Sequence, residues 1–310
     1  MSNSSTKEAG RAATGPQFTL RRGGAVAIIA SLAAGIRHYE RAGVELVEGF
    51  DAADIAPGAA GITLAPFANR VDGGRWELDG APQQLDITEV PRNNAIHGLL
   101  RNTGYAVLES SESHVLLEAV IYPQHGYPFL ARHQVRYELT AQGALRVAQT
   151  LINDSAAKAP FVLGAHPYFR LGDTVPAKLR ITVDAATRLA ATERMIPTDA
   201  LPVDGKYDLR GGRPLGESLM DTAFTDLATA DGAARHTLSA PDGRTVSLWH
   251  DATVSHVHVY VTPDFPGRSL AVAMEPMTGP ANAFNSGDGL RWLEPGTAFT
   301  MNWGIDSELG

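Results

Sequence analysis

A two-residue alternation of apolar and polar side chains is the feature that most constrains the fold of this 310-residue chain. It runs through residues 134–140, 178–184 and 299–305. Apolar residues on one face and polar residues on the other are typical of half-buried antiparallel strands. Gly-, Pro- and Asp-rich turn signals separate these runs, and long stretches with helical periodicity are scarce. The pattern predicts an all-β protein built as a large antiparallel β-sandwich.

The domain organisation follows from the same pattern. Strand patterning resumes after the poorly patterned stretch 201–216, which therefore reads as a long loop. No internal repeat or low-complexity linker divides the chain, and large all-β folds often reach this length as one domain. Residues 1–16 are small and polar, so we expect a disordered tail followed by a single domain over residues 17–310.

Composition and charge exclude several kinds of protein. The chain has no cysteine, which rules out disulfides and thiolate chemistry. A net charge of −8 without a basic stripe argues against a nucleic-acid partner. No apolar run approaches the ~18 residues that span a bilayer. Arg21-Arg22 before a short apolar run resembles a twin-arginine export signal, but a pair of opening strands explains this segment better. We expect a cytoplasmic protein with no membrane partner.

Two ionisable residues, each followed by proline, are the main catalytic candidates. His166 lies in Gly-Ala-His-Pro-Tyr-Phe, and Glu275 lies in Ala-Met-Glu-Pro-Met-Thr-Gly-Pro. Proline pushes the preceding residue toward an extended conformation, so both should stand at strand ends that enter rigid turns. Glu275 follows an apolar run typical of an interior strand, where burial raises the pKa of a carboxyl group. An imidazole and a carboxylate held toward one cleft can perform general acid–base catalysis; a lone histidine before proline is otherwise an ordinary turn residue.

Further polar residues stand beside turn-prone sequence. They are Asn69 and Arg70, His97 before Gly98, and Asp221 between hydrophobic neighbours. Each alone is a weak signal, because surface arginines and turn histidines are common. Together they are suited to hold the hydroxyl groups of a sugar from several sides.

In their order along the chain, these segments resemble the aldose 1-epimerase (galactose mutarotase) family. The resemblance rests on Asn69-Arg70, His97-Gly98, His166-Pro167-Tyr168-Phe169, the Asp221 segment and the Glu275-Pro276 segment with its later asparagines, and it runs from about Phe18 to Asp306. It implies a galactose mutarotase-like β-sandwich that interconverts the α and β anomers of a free aldose.

The resemblance also implies roles for single residues. Glu275 is then the general base and His166 the general acid, while Arg70, His97 and Asp221, with Asn69, bind the hydroxyl groups of a sugar substrate. No metal, nucleotide or redox cofactor is needed, and the expected assembly is a monomer or a homodimer.

Other functions compete with this one. Arg170 stands where the family more often has asparagine, so a hexose-phosphate 1-epimerase with Arg170 on the phosphate is one alternative. A glycoside hydrolase that uses Asp221 and Glu275, or a non-catalytic carbohydrate-binding protein, are others. Because Arg170 is the one evident extra cation beside a motif and the net charge is negative, the sequence favours a neutral aldose.

The positions of two histidines and one tryptophan allow more than one interpretation. His256 and His258 point to the same face of a strand, which is compatible with a shared metal, but the alternating valines form the better core face. We therefore expect both histidines on the opposite face, hydrogen-bonded or in water. Trp249 is a candidate to stack on a sugar ring, but a core position is commoner for a tryptophan in a strand, and we expect the core position.

Overall fold

Alternating side chains build two large antiparallel sheets in the computed structural model, which describes residues 12–310. The first strands of the chain are β1 (Gln17–Arg22), β2 (Ala25–Ala30), β3 (Ile36–Arg41), β4 (Val44–Glu45), β5 (Thr63–Leu64), β6 (Arg70–Asp72), β7 (Arg75–Leu78), β8 (Ala81–Gln84) and β9 (Asn94–Ile96). The next are β10 (Ala106–Ser110), β11 (His114–Ile121), β12 (Ala131–Leu139), β13 (Leu145–Asn153), β14 (Ala159–Phe161), β15 (Gly164–Ala165), β16 (Tyr168–Phe169), β17 (Arg180–Thr182) and β18 (Ala185–Ala191). The last are β19 (Pro197–Pro202), β20 (Arg213–Pro214), β21 (Met220–Leu227), β22 (Ala233–Ser239), β23 (Thr245–Asp251), β24 (His256–Thr262), β25 (Ala271–Met277), β26 (Arg291–Leu293) and β27 (Ala298–Glu308).

Helical structure is confined to short pieces of the described chain. The α-helix α1 (Ala283–Ser286) is a single turn, and the 3₁₀ turns are Pro57–Ala59, Val90–Arg92, Pro176–Lys178, Gly205–Tyr207 and Leu215–Glu217. No helix among residues 12–310 is long and apolar enough to cross a membrane.

The strands pair into a nine-stranded and an eight-stranded sheet. The nine-stranded sheet has the order β10-β11-β12-β13-β27-β23-β22-β17-β20. The other has the order β19-β18-β21-β24-β25-β15-β5, with β16 also paired to β25. A four-stranded sheet (β1–β4) and three two-stranded ribbons (β14-β26, β6-β9 and β7-β8) complete the structure. All strand pairs between residues 12 and 310 are antiparallel, and the predicted β-sandwich is confirmed.

One hydrophobic core joins the two large sheets. On β12 every second residue is buried, including Val135, Tyr137 and Leu139, as the alternation predicted. These side chains belong to the same cluster as Val257 and Val259 of β24. Burial of apolar surface at roughly 25 cal/mol per Å² is the main force that holds two such faces together. The opposite face of the eight-stranded sheet does not take part in this core and is therefore available to carry a functional site.

Several local predictions can be compared with the structure. The run after Arg21-Arg22 forms β2, paired with β1, so the predicted pair of opening strands is confirmed. The stretch 201–216 is mostly irregular; it contains the end of β19, the 3₁₀ turn Gly205–Tyr207, β20 and the start of the 3₁₀ turn Leu215–Glu217. Trp249 is only half-buried, because it points away from the core face of β23, and Arg146 lies 5.0 Å from its ring centre. The prediction of a core position for Trp249 is wrong.

The chain ends bear on the predicted domain limits. Residues 1–11 of the predicted disordered tail lie outside the described residues. Further along, Thr14 is buried and its hydroxyl donates a hydrogen bond to the carbonyl of Ala52 at 3.1 Å. A single domain over residues 17–310 stays a prediction, to which the shared core adds support.

Candidate active site

The side chain of Glu275 lies on the face of β25 that turns away from the main core. Its neighbours Val272 and Met274 pack into that core, whereas Ala271 and Ala273 face the opposite way, on the side of Glu275. The glutamate is only 2% exposed. The sequence predicted a strand end at this point, and that is wrong, because β25 continues through Pro276 to Met277.

His166 stands across a gap in the sheet from Glu275. The pairs Gly164–Met277 and Tyr168–Ala273 share one register, which places His166 opposite Glu275. Pro167 and Pro276 lack the N–H groups that a continuous ladder needs at this point. The backbone of His166 bonds instead to Gly61 and Ile62 on the other side. The two prolines noticed in the sequence thus open the sheet where the two side chains meet.

The two catalytic candidates are close enough to exchange a proton through a substrate. His166 Nε2 lies 3.4 Å from Glu275 Oε1, and both side chains are buried. His166 Nδ1, Glu275 Oε2 and His97 Nδ1 have no hydrogen-bond partner among the described residues. Buried polar atoms normally have partners, so unpaired atoms grouped in one place are typical of a site that awaits a polar ligand.

Arg70 and His97 are delivered by the ribbon β6-β9. Arg70 pairs with Ile96, and His97 follows directly, with its N–H donating to the carbonyl of Asn69 at 2.9 Å. Asn69 and His97 both adopt left-handed backbone conformations, with φ of 54° and 63°. Such values are uncommon for residues other than glycine and often mark functional sites. At the neighbouring Gly98, a side chain would collide with the carbonyl oxygen of Ala65.

Glu89 fixes the orientation of Arg70. Its carboxylate accepts two hydrogen bonds from the guanidinium, Nε at 2.8 Å and Nη2 at 2.9 Å. This two-point contact is the strongest geometry for such a pair. Asn282, whose Oδ1 accepts the N–H of Asp72 at 3.0 Å, braces the same ribbon from the Glu275 segment. Sequence reasoning missed Glu89, which stands almost twenty positions from Arg70 and has no motif of its own.

His258 and Asp221 form a hydrogen-bonded pair on the other side of Glu275. His258 lies opposite Glu275 in the β24–β25 register, and its Nε2 is 2.5 Å from Asp221 Oδ1. Burial lowers the pKa of His258, but the bond to Asp221 and the charge of Glu275 outweigh burial and raise it above 6.5. Burial likewise opposes ionisation of Asp221, but His258 and Arg70 lower its pKa to about 2. Both shifts favour an ion pair between protonated His258 and ionised Asp221.

The pKa values of His166 and His97 are lowered, in contrast to that of His258. Burial lowers the pKa of His166, although the nearby Glu275 carboxylate works against this. The pKa of His97 lies well below its usual value because of burial and the neighbouring cations. Their rings meet edge to face, with centres 5.2 Å apart. Both imidazoles are consequently neutral at rest near pH 7.

All six residues predicted from the sequence line one cleft of about 710 Å³. They are Asn69, Arg70, His97, His166, Asp221 and Glu275. The same cleft is lined by Glu89, His258, Tyr260 and Arg101, to which the sequence analysis gave no role in the site. His258 was correctly expected on the face opposite the valines, but its contact with Asp221 depends on strand register and carried no local signal.

Two further predictions concern residues near this region. Arg170, considered as a phosphate ligand, is absent from the cleft lining and lies 2.5 Å from Glu45 Oε2. His256 bonds to the hydroxyl of Ser255 at 2.8 Å, while His258 bonds to Asp221. Within residues 12–310, no group of three or more histidine, aspartate or glutamate side chains is arranged to hold a metal ion.

Comparison with known proteins adds to this geometry. The model of the aldose 1-epimerase family matches residues 16–305 of the chain. The chain is 32% identical over 295 residues to the uncharacterized protein YihR of Escherichia coli strain K12, covering 94% of this chain and 93% of that one.

Solved structures share the fold. An aldose epimerase homologue from C. elegans superimposes with a TM-score of 0.82 at 20% identity, over 94% of this chain and 98% of that chain. A galactose 1-epimerase from Lactobacillus acidophilus NCFM superimposes with a TM-score of 0.77 at 20% identity, over 94% and 93% of the two chains.

Proposed function

The chain belongs to the aldose 1-epimerase family, and from this premise we propose that it interconverts the α and β anomers of an aldose by general acid–base catalysis. The observation that carries the proposal is the buried pair His166–Glu275, 3.4 Å apart at the floor of a polar cleft. A general acid and a general base must both reach the reacting atoms, and side chains this close together can contact neighbouring oxygens of one substrate.

The proposed reaction begins with ring opening. Glu275 takes the proton of the C1 hydroxyl as His166 gives a proton to the ring oxygen, and the bond between C1 and that oxygen breaks. The open-chain aldehyde then rotates about the C1–C2 bond. Closure onto the other face of the carbonyl returns both protons, so Glu275 and His166 end as they began. Each group contributes about 10²–10⁴-fold, or about 3–5 kcal/mol.

The lowered pKa of His166 suits the role of acid. Its buried imidazolium is a stronger acid than a free one, so transfer to the weakly basic ring oxygen is easier. The carboxylate of Glu275 beside it favours the protonated form and keeps that form accessible.

The remaining cleft residues hold the sugar in this scheme. Arg70 and the ion pair Asp221–His258 lie next to each other in the cleft, with Arg70 Nη2 3.9 Å from Asp221 Oδ2, and offer donors and acceptors for hydroxyl groups. His97 adds an unpaired ring nitrogen. Such a grip retains the aldehyde and keeps C1 near the acid–base pair during rotation.

A glycoside hydrolase fits the cleft less well. Its general acid must be a carboxyl group that keeps a proton near neutral pH. Asp221, the possible partner of Glu275, has a pKa of about 2 and is engaged with His258. A non-catalytic sugar-binding role leaves the His166–Glu275 pair without a function.

Cytoplasmic location and a monomeric or dimeric state stay predictions.

Polarimetry on freshly dissolved aldoses tests the proposal. Glu275→Gln keeps the shape of the side chain but removes the base, so we expect kcat to fall at least ~10²-fold while sugar affinity changes little. His166→Asn should show the same pattern. Glu118→Gln, on the nine-stranded sheet, is a control for the loss of a paired carboxylate and should keep full activity.

Two results would contradict the proposal. The assignment of the base is wrong if Glu275→Gln retains near wild-type turnover on a sugar that the wild type converts. The protein is a binding module rather than an epimerase if it binds aldoses in the cleft and accelerates mutarotation of none.

A further inference from the structure

Arg101 is the arginine of the cleft that lacks an acidic partner. Of the three arginines that line the cleft, Arg70 and Arg92 each contact Glu89, at 2.8 Å and 3.1 Å. Arg101 has no hydrogen bond or ion pair with any residue of the described range 12–310, and its side chain is half-buried. Arginine in such a position is normally paired, since removing its charge from water is unfavourable.

The surroundings leave the charge of Arg101 uncompensated. Burial lowers the pKa of its guanidinium, and no carboxylate is close enough to offset this. Its charge is also one of the causes that lower the pKa of His97, so the guanidinium lies within electrostatic reach of the sugar-binding residues.

Other charged groups that line the cleft are compensated or lie elsewhere. Glu89 is shared by two arginines, and Asp221 is paired with His258. Asp264 is exposed at the rim. Glu275, the proposed base, lies between His166 and His258. Arg101 therefore provides a positive site separate from the negative one at which the reaction takes place.

We propose that Arg101 binds an oxyanion substituent of the substrate, so that the preferred sugar is an aldose with a phosphate, sulfonate or carboxylate group on a carbon remote from C1. The inference rests on the proposed function, because it is the His166–Glu275 pair that places C1. The planar guanidinium offers paired N–H donors that match two oxygens of such a group. The sugar ring then bridges the acid–base pair and Arg101.

This revises the expectation of a neutral aldose. That expectation rested on Arg170 as the only extra cation beside a motif, and Arg170 is paired with Glu45 outside the cleft lining. Arg101 stands four positions after His97, and its place in the cleft depends on how the chain turns after β9. The net charge of −8 opposes long-range attraction of an anion but does not set the potential inside a cleft.

The test compares kcat/KM for glucose, glucose 6-phosphate, glucuronate and 6-deoxy-6-sulfoglucose at matched ionic strength. We expect at least one anionic sugar to exceed glucose by ~10-fold or more. In Arg101→Gln the ratio of anionic to neutral kcat/KM should fall about 10-fold to 100-fold, the range for loss of a charged hydrogen-bond partner. Arg101→Lys should retain part of the preference. The strongest of the three anions identifies the group.

Arg170→Gln is the matched control, since it removes a guanidinium outside the cleft. Its ratio should equal that of the wild type. The inference is overturned if glucose is converted at least as well as every anionic sugar, or if Arg101→Gln keeps the wild-type ratio.

A binding measurement separates this inference from the proposed function. 1,5-Anhydroglucitol and its 6-phosphate have no anomeric hydroxyl, so neither can be epimerised. Calorimetry should show tighter binding of the phosphate to the wild type and a loss of this difference in Arg101→Gln. If that holds but no sugar is epimerised, the anion site stands and the epimerase proposal fails; equal binding of both analogues overturns the anion site.

Discussion

Glu275 lies between two histidines whose protonation differs although both are buried. His166 on one side has a lowered pKa, and His258 on the other has a raised one. The difference comes from Asp221, which bonds to His258 and not to His166. Asp221 thus holds His258 in place opposite the proposed base.

The raised pKa of His258 makes a prediction about stability and pH. The folded state holds the proton more tightly than the unfolded state, so this contribution is complete below pH 6.5. It is lost as pH rises through the folded-state pKa. We therefore expect the free energy of unfolding of the wild type to exceed that of His258→Gln by more at pH 6 than at pH 9, as measured with urea.

A control variant isolates the cause. His125→Gln removes an imidazole whose side chain is 71% exposed, far from the cleft, and should leave the pH dependence close to that of the wild type. A difference between wild type and His258→Gln that does not change from pH 6 to pH 9 contradicts the ion pair.

The sequence located some site residues and missed others for a physical reason. His166 and Glu275 were found because each carries its own signal, a proline that follows directly. His258 and Arg101 carry no such signal, since their roles depend on contacts with residues distant in sequence or on an absence of contacts. The bond between His258 and Asp221 joins residues 37 positions apart. Local pattern cannot specify such a pairing.

At the scale of elements, the ribbon β6-β9 acts as a holder for Arg70. Glu89, in the connection that leads into β9, clamps the guanidinium, and Asn282 binds the ribbon from the Glu275 segment. The asparagine in the motif after Glu275 is therefore structural. Without Glu89, Arg70 would remain buried without its two-point contact, and its acidic neighbours would be Asp221, at 3.9 Å, and the more remote charge of Glu275.

Glu89→Gln should consequently impair substrate binding more than chemistry. Loss of the two-point contact lets Arg70 turn toward Asp221, and removal of a charged partner typically costs about 1–3 kcal/mol. We expect kcat/KM to fall roughly 10-fold to 100-fold, with most of the change in KM. Glu89→Asp should recover part of it.

Whether Glu89→Gln changes KM or kcat decides whether Glu89 serves substrate binding or the chemical step. A fall confined to kcat, with KM unchanged, would show that the clamp on Arg70 serves the chemical step. Glu118→Gln breaks a comparable pair with Arg132 on the distant sheet and should change neither constant.

On the scale of the whole molecule, the sequence predicts which segments form strands but not the order of those strands in the sheets. The alternation in β12 and β27 reflects burial of one face, which each strand encodes by itself. By contrast, β27 lies between β13 and β23 in the middle of the nine-stranded sheet, although it is the last strand of the chain. Such an order arises from packing between distant segments, so only the family resemblance could anticipate it.

The shared core predicts that both sheets unfold together. Leu248 of the nine-stranded sheet and Val259 of the eight-stranded sheet are both fully buried in one cluster. Two sheets that depend on the same buried face cannot lose it separately, so calorimetry should show one transition, with calorimetric and van't Hoff enthalpies equal. This outcome would also support the single domain predicted over residues 17–310.

A cavity in one sheet tests the coupling directly. Leu248→Ala should lower the free energy of unfolding by about 2–5 kcal/mol and move the entire heat-absorption peak to lower temperature. Val107→Ala removes an exposed side chain from the same sheet and should change stability by less than ~0.5 kcal/mol. If Leu248→Ala instead splits the peak and leaves one part at the wild-type temperature, the sheets are independent units. The cleft would then belong to the eight-stranded unit, and sugar binding should survive melting of the nine-stranded sheet. A single shifted peak would instead show that the site depends on the folding of the whole sandwich.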